Sequence, residues 1–293
     1  MRSSILLLSQ APRVSASSAA PLVAKAGPVI RPAPLAAIDI APCGTLRGAA
    51  VLRKFDFACV DRLRSITRAV AEGVDFYCVK QSFFIVPATQ PPSDDLQAEL
   101  FVQRLSKSSV YFVGSLTESR TGLLRAAVAR TFVRVCLDGP VKRGLPFLDE
   151  ERDDLAPDAV PSSLAGYLQR HALGYELLAS PTPTTEVLQE APIFAQTVRP
   201  RHLNLANHLD HGCLLSLAAD AAALARSATS TTTTAAAAHP EPVAGIIEYL
   251  DGGGACGVRL ECFADAAGAV SVVRRTTGPG SFVDVCRASW VWT

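Results

Sequence analysis

The sequence predicts an α+β fold in which one unit, an apolar helix followed by antiparallel strands, is given twice. Three observations carry this. Each half holds one stretch with helical apolar spacing and a series of short strand-like runs. Polar and Gly/Pro-rich turn material separates those runs. The halves also close on strands of similar character, ARTFVRV at 129–135 and RASWVWT at 287–293. A helix with several short strands suits a sheet curled around that helix, and the same order twice is an internal duplication.

The elements follow in order. Arg2, Arg13, Lys25 and Arg31 precede the first acidic residue, Asp39, in a Ser- and Ala-rich stretch. That is the composition of an organelle transit peptide, so residues 1–40 are expected to be disordered or removed. A first domain is expected over 44–140. In FDFACVDRLRSITRAVAEG the apolar residues at 60, 63, 66 and 70, with Gly73 as a stop, predict a helix. VDFYCVKQSFFIVPA, LQAELFVQRLS, SVYFVGSLTE and LLRAAVARTFVRV follow as strands, broken by QPPSDD, KSS and SRTG. PVKRGLPFLDEERDDLAPDAVP reads as part of an irregular linker over 141–185 with a solvated acidic run.

The second domain is expected over 186–293. APIFAQTVRPR predicts a strand and DHGCLLSLAADAAALARSA a helix apolar on nearly every face, hence buried. TSTTTTAAAAHPEP is low-complexity and marks a disordered insertion over 227–242. VAGIIEYLD, ACGVRLECFAD, AVSVVRRTT and SFVDVCRASWVWT are four further strands. Trp290 and Trp292 alternate with Val291 there, which places one face of the last strand in a core.

Composition narrows the function. A net charge of +1 on 293 residues gives no basic field for nucleic acid or an anionic membrane. No apolar run approaches about 20 residues, so no spanning helix is expected. The eight cysteines lack a C-x-x-C pair and several sit in apolar runs. They read as reduced thiols filling a core in an intracellular compartment.

Three of the five histidines crowd into VRPRHLNLANHLDHGC at 198–213: His202, His208 and His211, with Asp210 between the last two. His171 and His239 read as isolated surface residues. His208 and His211 could share a face, but His202 precedes the turn and no Cys pair completes four ligands, so no metal and no cofactor are expected. A histidine or carboxylate at a helix start suits acid/base chemistry instead, because free amides and the positive dipole end there polarise a carbonyl. The alternative is structural, with His208 bonding a backbone carbonyl and Asp210 capping the helix.

Pro200, Arg201, Leu203 and His208, the helix after them and Ile247-Glu248-Tyr249 resemble the hotdog-fold thioesterase superfamily in a tandem "double hotdog" arrangement. The second half is most similar to acyl-ACP and acyl-CoA thioesterases, whose signature runs P-R-x-x-D-L-D-x-N-x-H-V-N-N before a helix. The chain departs from it at His202, Asn204, Ala206 and Leu209-Asp210-His211. No counterpart acid over a pocket is legible in the first half. The resemblance implies hydrolysis of acyl-CoA or acyl-ACP thioesters, with His208, Asp210 and Asn204 as catalytic residues. It implies Arg201, His211, Glu248 and Asp251 as substrate-binding residues. The missing acids leave a second reading open: a degenerate pseudo-dimer that binds acyl groups or serves a mitochondrial assembly such as a ribosome. A hotdog dehydratase is a third reading.

Overall fold

The structure is a computed structural model. It describes residues 27–41, 44–66, 74–87, 91–136, 143–170, 191–203, 209–229, 241–251 and 256–292. His171, His239 and the low-complexity residues 230–240 lie outside them.

The first half comprises β1 (Val29–Pro32), α1 (Gly48–Ile66), β2 (Val74–Ile85), β3 (Leu96–Leu105), β4 (Ser109–Glu118) and β5 (Leu124–Cys136). A connection follows with β6 (Arg143–Gly144), α2 (Asp149–Asp154) and α3 (Ser162–Arg170). The second half holds β7 (Phe194–Thr197), α4 (His211–Thr229), β8 (Ala244–Tyr249), β9 (Arg259–Ala264), β10 (Val270–Gly278) and β11 (Ser281–Val291).

The halves share one antiparallel sheet, ordered β1-β3-β4-β5-β2-β8-β11-β10-β9-β7, with β6 paired to β5. β2 and β8 join them, with Lys80 opposite Glu248, Gln81 opposite Ile247 and Phe83 opposite Gly245. Side chains alternate across a strand. Gly245 is required at this seam, because a β-carbon there would lie 2.8 Å from the Trp290 ring and 2.9 Å from that of Phe83. α1 and α4 both lie on one face of the sheet and touch each other, so one core runs through both halves. Phe55, Ala58 and Leu63 of α1 enter it with Leu214, Ala218, Ala222 and Ala225 of α4. Burying a Leu or Phe side chain contributes about 1.5–3 kcal/mol, which explains why neither helix needs strong intrinsic propensity.

Four expectations need correction. Residues 27–40 are not an unstructured leader: Val29 pairs with Leu100, Arg31 with Ala98, and Asp39 is buried. Pro32 is tolerated because β1 is an edge strand. α1 starts at Gly48, seven residues before the predicted stretch, because Gly48, Ala50 and Val51 bury against the sheet although no polar cap announces them. The residues expected to end it, 67–73, are outside the described set.

α4 is buried along one broad face only, since Asp220 and Leu224 are exposed. The connection is not merely solvated. Glu151 is buried, 3.3 Å from Arg134, and accepts the Leu148 amide at 2.8 Å. Asp158 accepts the Val102 amide at 2.7 Å. Leu164 and Leu168 of α3 cover Phe101, Val113, Ala127 and Ala129 on the sheet face away from α1.

Candidate active site

The site is built on two turns of the same construction. Before α4, Pro200–His202 form one 3-10 turn, and Leu203 bridges Leu209 in antiparallel fashion. Before α1, Ala37–Asp39 form another, and Ile40 bridges Leu46. The Asp210 amide donates to the His202 carbonyl at 2.9 Å, and the Arg47 amide donates to that of Asp39 at 2.9 Å. His202 Nδ1 accepts the Arg199 amide at 3.1 Å, as Asp39 Oδ2 accepts that of Ala36 at 2.9 Å. Asp39 thus corresponds to His202, Arg47 to Asp210 and Gly48 to His211. In that register Ala41 stands for Asn204 and Thr45 for His208.

The structure gathers Arg201, His202, Asp210 and His211 around the second turn. Asn204 and His208 lie outside the described residues. Asp210 is the helix N-cap: its Oδ1 accepts the Cys213 amide at 3.1 Å. Such a cap contributes about 1 kcal/mol. Arg201 is exposed, its Nε 3.2 Å from His202 Nε2. Desolvation, then the charges of Arg201 and Arg199, lower the His202 pKa, so this ring is a poor cation at neutral pH. Among the described residues no three His, Cys, Asp or Glu side chains cluster as metal ligands.

His211 places its ring 4.3 Å from the Tyr249 ring at 36°. The Tyr249 hydroxyl donates to the His211 carbonyl at 3.4 Å, and Gln81 Nε2 donates to that hydroxyl. Burial raises the Tyr249 pKa well above its ordinary value, so it stays a phenol. Glu248 lies on the other side of the sheet, because its neighbours Ile247 and Tyr249 both face the helices. It sits between Lys80 and Arg287 in register, away from the turn. Asp251 is paired with Arg275 at 2.6 Å.

Several residues of this region escaped the sequence reading. Arg130 of β5 is buried under α1, 2.6 Å from Asp56 and in contact with Cys59 Sγ at 3.7 Å. Burial opposes its charge, but Asp56 and the thiols of Cys59 and Cys78 outweigh this and raise its pKa. Burial also pushes Cys59 up to about 12 and Cys78 up to about 11, so both remain thiols. Asp39 is a buried acid at the position that matches His202, and only the like construction of the two turns reveals it.

The start of α1 borders a cavity of about 160 Å³, lined by Arg47, Gly48, Arg53, Phe83, Leu215 and Trp290 among others. It lies between the halves. Gly48 lets the Phe83 ring pack directly against the helix start, since a β-carbon there would overlap that ring.

No protein-family model matches the chain, and no curated protein matches it. Solved structures do. An acyl-ACP thioesterase from Bacteroides thetaiotaomicron is 12% identical, with 91% of this chain and 98% of the other covered at a TM-score of 0.58. A putative oleoyl thioesterase from Lactobacillus plantarum is 12% identical over 92% and 97% at 0.60. The 12:0-ACP thioesterase from Umbellularia californica is 10% identical over 91% and 97% at 0.59. At such identities the likeness concerns the fold. With two helices seated along one antiparallel sheet, the chain has the tandem hotdog fold of these proteins.

Proposed function

We propose that the protein hydrolyses acyl thioesters carried on CoA or on an acyl carrier protein, and that the turn before α4 performs the chemistry. The observation that supports this most is the Leu203–Leu209 bridge directly before a 19-residue helix; Asn204 and His208 lie between the bridged residues in the sequence. The fold likeness to acyl-ACP thioesterases over nine-tenths of both chains supports this choice of substrate class. In this reading the α4 dipole and first-turn amides stabilise the oxyanion. His208 takes a proton from water oriented by Asn204, and the hydroxide adds to the carbonyl carbon. The carbon–sulfur bond then breaks, and the leaving thiolate takes the proton back from His208. Asp210 holds the helix start rather than the proton. Arg201 is the exposed cation for the carrier phosphate.

The basic, Ser-rich first residues support an organellar location, for which N-terminal sequencing of the organelle-purified protein is the check. A chain still beginning at Met1 counts against it.

The second reading is an acyl-binding or structural subunit, as in a mitochondrial assembly. It is favoured by the use of Asp210 as a cap and by the replacement of both signature acids with His202 and Asn204. Thiol release from a panel of acyl-CoAs and acyl-ACPs decides between them. Turnover on at least one supports hydrolysis; binding without turnover on any supports the second reading.

A further inference from the structure

We propose that Gln81 of β2 is a positioning residue for the turn before α4. Through the Tyr249 hydroxyl it holds the His211 carbonyl, and with it the first-turn amides assigned to the oxyanion. That role rests on the thioesterase reading above, whereas the relay of hydrogen bonds stands without it.

The two halves match residue for residue about one point of the seam. Gln81 and Ile247 lie opposite each other there. On its other side Gln81 pairs with Arg130 of β5, and Ile247 pairs with Ala288 of β11. Two residues further on, β2 carries Phe83 and β8 carries Tyr249, both in the core beneath the helices. The matching positions differ in chemistry. Ile247 has no amide and Phe83 no hydroxyl, so these side chains carry hydrogen bonds in one direction only, from the first half to the start of α4.

Gln81 is fully buried. Its Nε2 donates to the Tyr249 hydroxyl, which donates to the His211 carbonyl at 3.4 Å. A phenol has a single proton to give. Because Gln81 supplies a donor to the oxygen, that proton is left for the carbonyl, and a bond as long as 3.4 Å gains a fixed direction. The buried Arg130 cation on the adjacent strand favours the amide oxygen on its own side and the NH2 group on the Tyr249 side.

This arrangement does not serve stability. Gln81 Oε1 and Arg130 Nε are both buried without a hydrogen-bond partner among the described residues, and an orphaned buried polar atom destabilises. An apolar side chain, as at Ile247, would fill the place without that penalty. What Gln81 adds is the bond to Tyr249, and its effect is delivered at His211, the first residue of α4. There the Tyr249 ring lies 4.3 Å from that of His211 and Asp210 caps the Cys213 amide, so ring, carbonyl and cap hold one turn together.

The test uses the full chain and Gln81→Leu, which keeps most of the volume and removes the amide. Exchange is read by mass spectrometry on a peptide covering 209–215, where the Asp210, Cys213 and Leu214 amides are hydrogen-bonded. It is expected to speed up about tenfold there, the scale of one hydrogen bond, and to stay as in wild type elsewhere, with the urea midpoint equal or higher. Unchanged exchange in that peptide overturns the relay. Faster exchange spread along the whole chain overturns it too, because Gln81 then only supports the core. On an acyl thioester that wild type turns over, kcat is expected to fall about tenfold at constant KM, since the oxyanion develops only in the transition state. Unchanged kcat, or a rise in KM alone, overturns the positioning role. Tyr249→Phe keeps the ring and removes the hydroxyl, and it carries the same expectations for exchange and kcat should Gln81→Leu not fold. Combining the two variants is expected to add nothing to either alone, and additive losses overturn the relay. A wild type without turnover on any acyl thioester removes the proposed activity, and exchange at 209–215 then decides the relay by itself.

Discussion

His211 and Tyr249 stack with ring centroids 4.3 Å apart, and the corresponding pair in the first half, Gly48 and Phe83, meets with no side chain on the helix. The first half thus packs a ring against a glycine where the second packs a ring beside a ring. The His211 ring is already engaged with a protein partner, which makes it a wall of the second-half site rather than a free hand for substrate. His211→Ala is expected to cost about 1 kcal/mol, the scale of an aromatic pair, read as a lowered urea midpoint.

Asp210 separates two roles by charge. As an N-cap it works equally well as Asn, so Asp210→Asn is expected to retain stability, whereas Asp210→Ala is expected to lose about 1 kcal/mol. As a general base it would tolerate neither. Equilibrium unfolding and thioesterase rates on both variants decide, and a hundredfold loss of rate in Asp210→Asn would return the proton to Asp210.

His208 and Asn204 carry the proposed chemistry. His208→Ala is expected to lower turnover by roughly 10²-fold, the scale of an acid/base group. Asn204→Asp installs the carboxylate of the family signature and is expected to leave activity intact or raise it. Wild-type rates in His208→Ala, measured by thiol release, would move the reaction to another turn.

Arg130 and Asp56 are coupled. Asp56→Ala leaves a guanidinium buried without its carboxylate. With Asp56 still 38% exposed, the expected cost is about 2 kcal/mol, below that of a fully buried pair. Arg130→Met combined with Asp56→Leu removes both charges and is expected to recover most of it. A double-mutant cycle in urea measures the coupling, and additive single losses would deny it.

Acid sensitivity follows from Asp39 and Glu118. Burial raises the Asp39 pKa, but Lys54, the Ala36 amide and Arg53 together outweigh it, so the net shift is downward. The Thr121 hydroxyl and Arg125 lower that of Glu118 against an opposing effect of burial. A carboxyl with a depressed folded pKa stabilises fully above its unfolded value, about 4, and loses that contribution as pH falls through the folded value. The stability gap between wild type and either Asp39→Asn or Glu118→Gln is therefore expected to be widest at neutral pH and to close below pH about 4. A gap that stays constant from pH 7 to 3 would contradict this.

The repeated order of helix and strands was legible because the apolar residues of α4 and the alternation in β3, β8 and β11 are local patterns. The edge strand β1 was not, because Val29–Pro32 carries no alternation of its own and is held only by β3. Asp39 was hidden for a similar reason. Its meaning lies in matching a turn far along the chain, and a pattern of 3-10 turn, bridge and helix start has almost no signature in residue types.

What the sequence determined by itself is the content of each half: an apolar-patterned helix and a series of short strands, with a histidine-rich segment before the second helix. Those properties are set by side chains a few residues apart, through periodicity and capping. Only the tertiary structure decided that β2 lies beside β8, that Glu248 faces away from the turn, and that the Phe83 ring packs against Gly48 while the Tyr249 ring packs beside that of His211. These depend on which residues meet across the seam between the halves, where side-chain volume and charge are compared between distant segments of the chain, and no local pattern encodes that comparison.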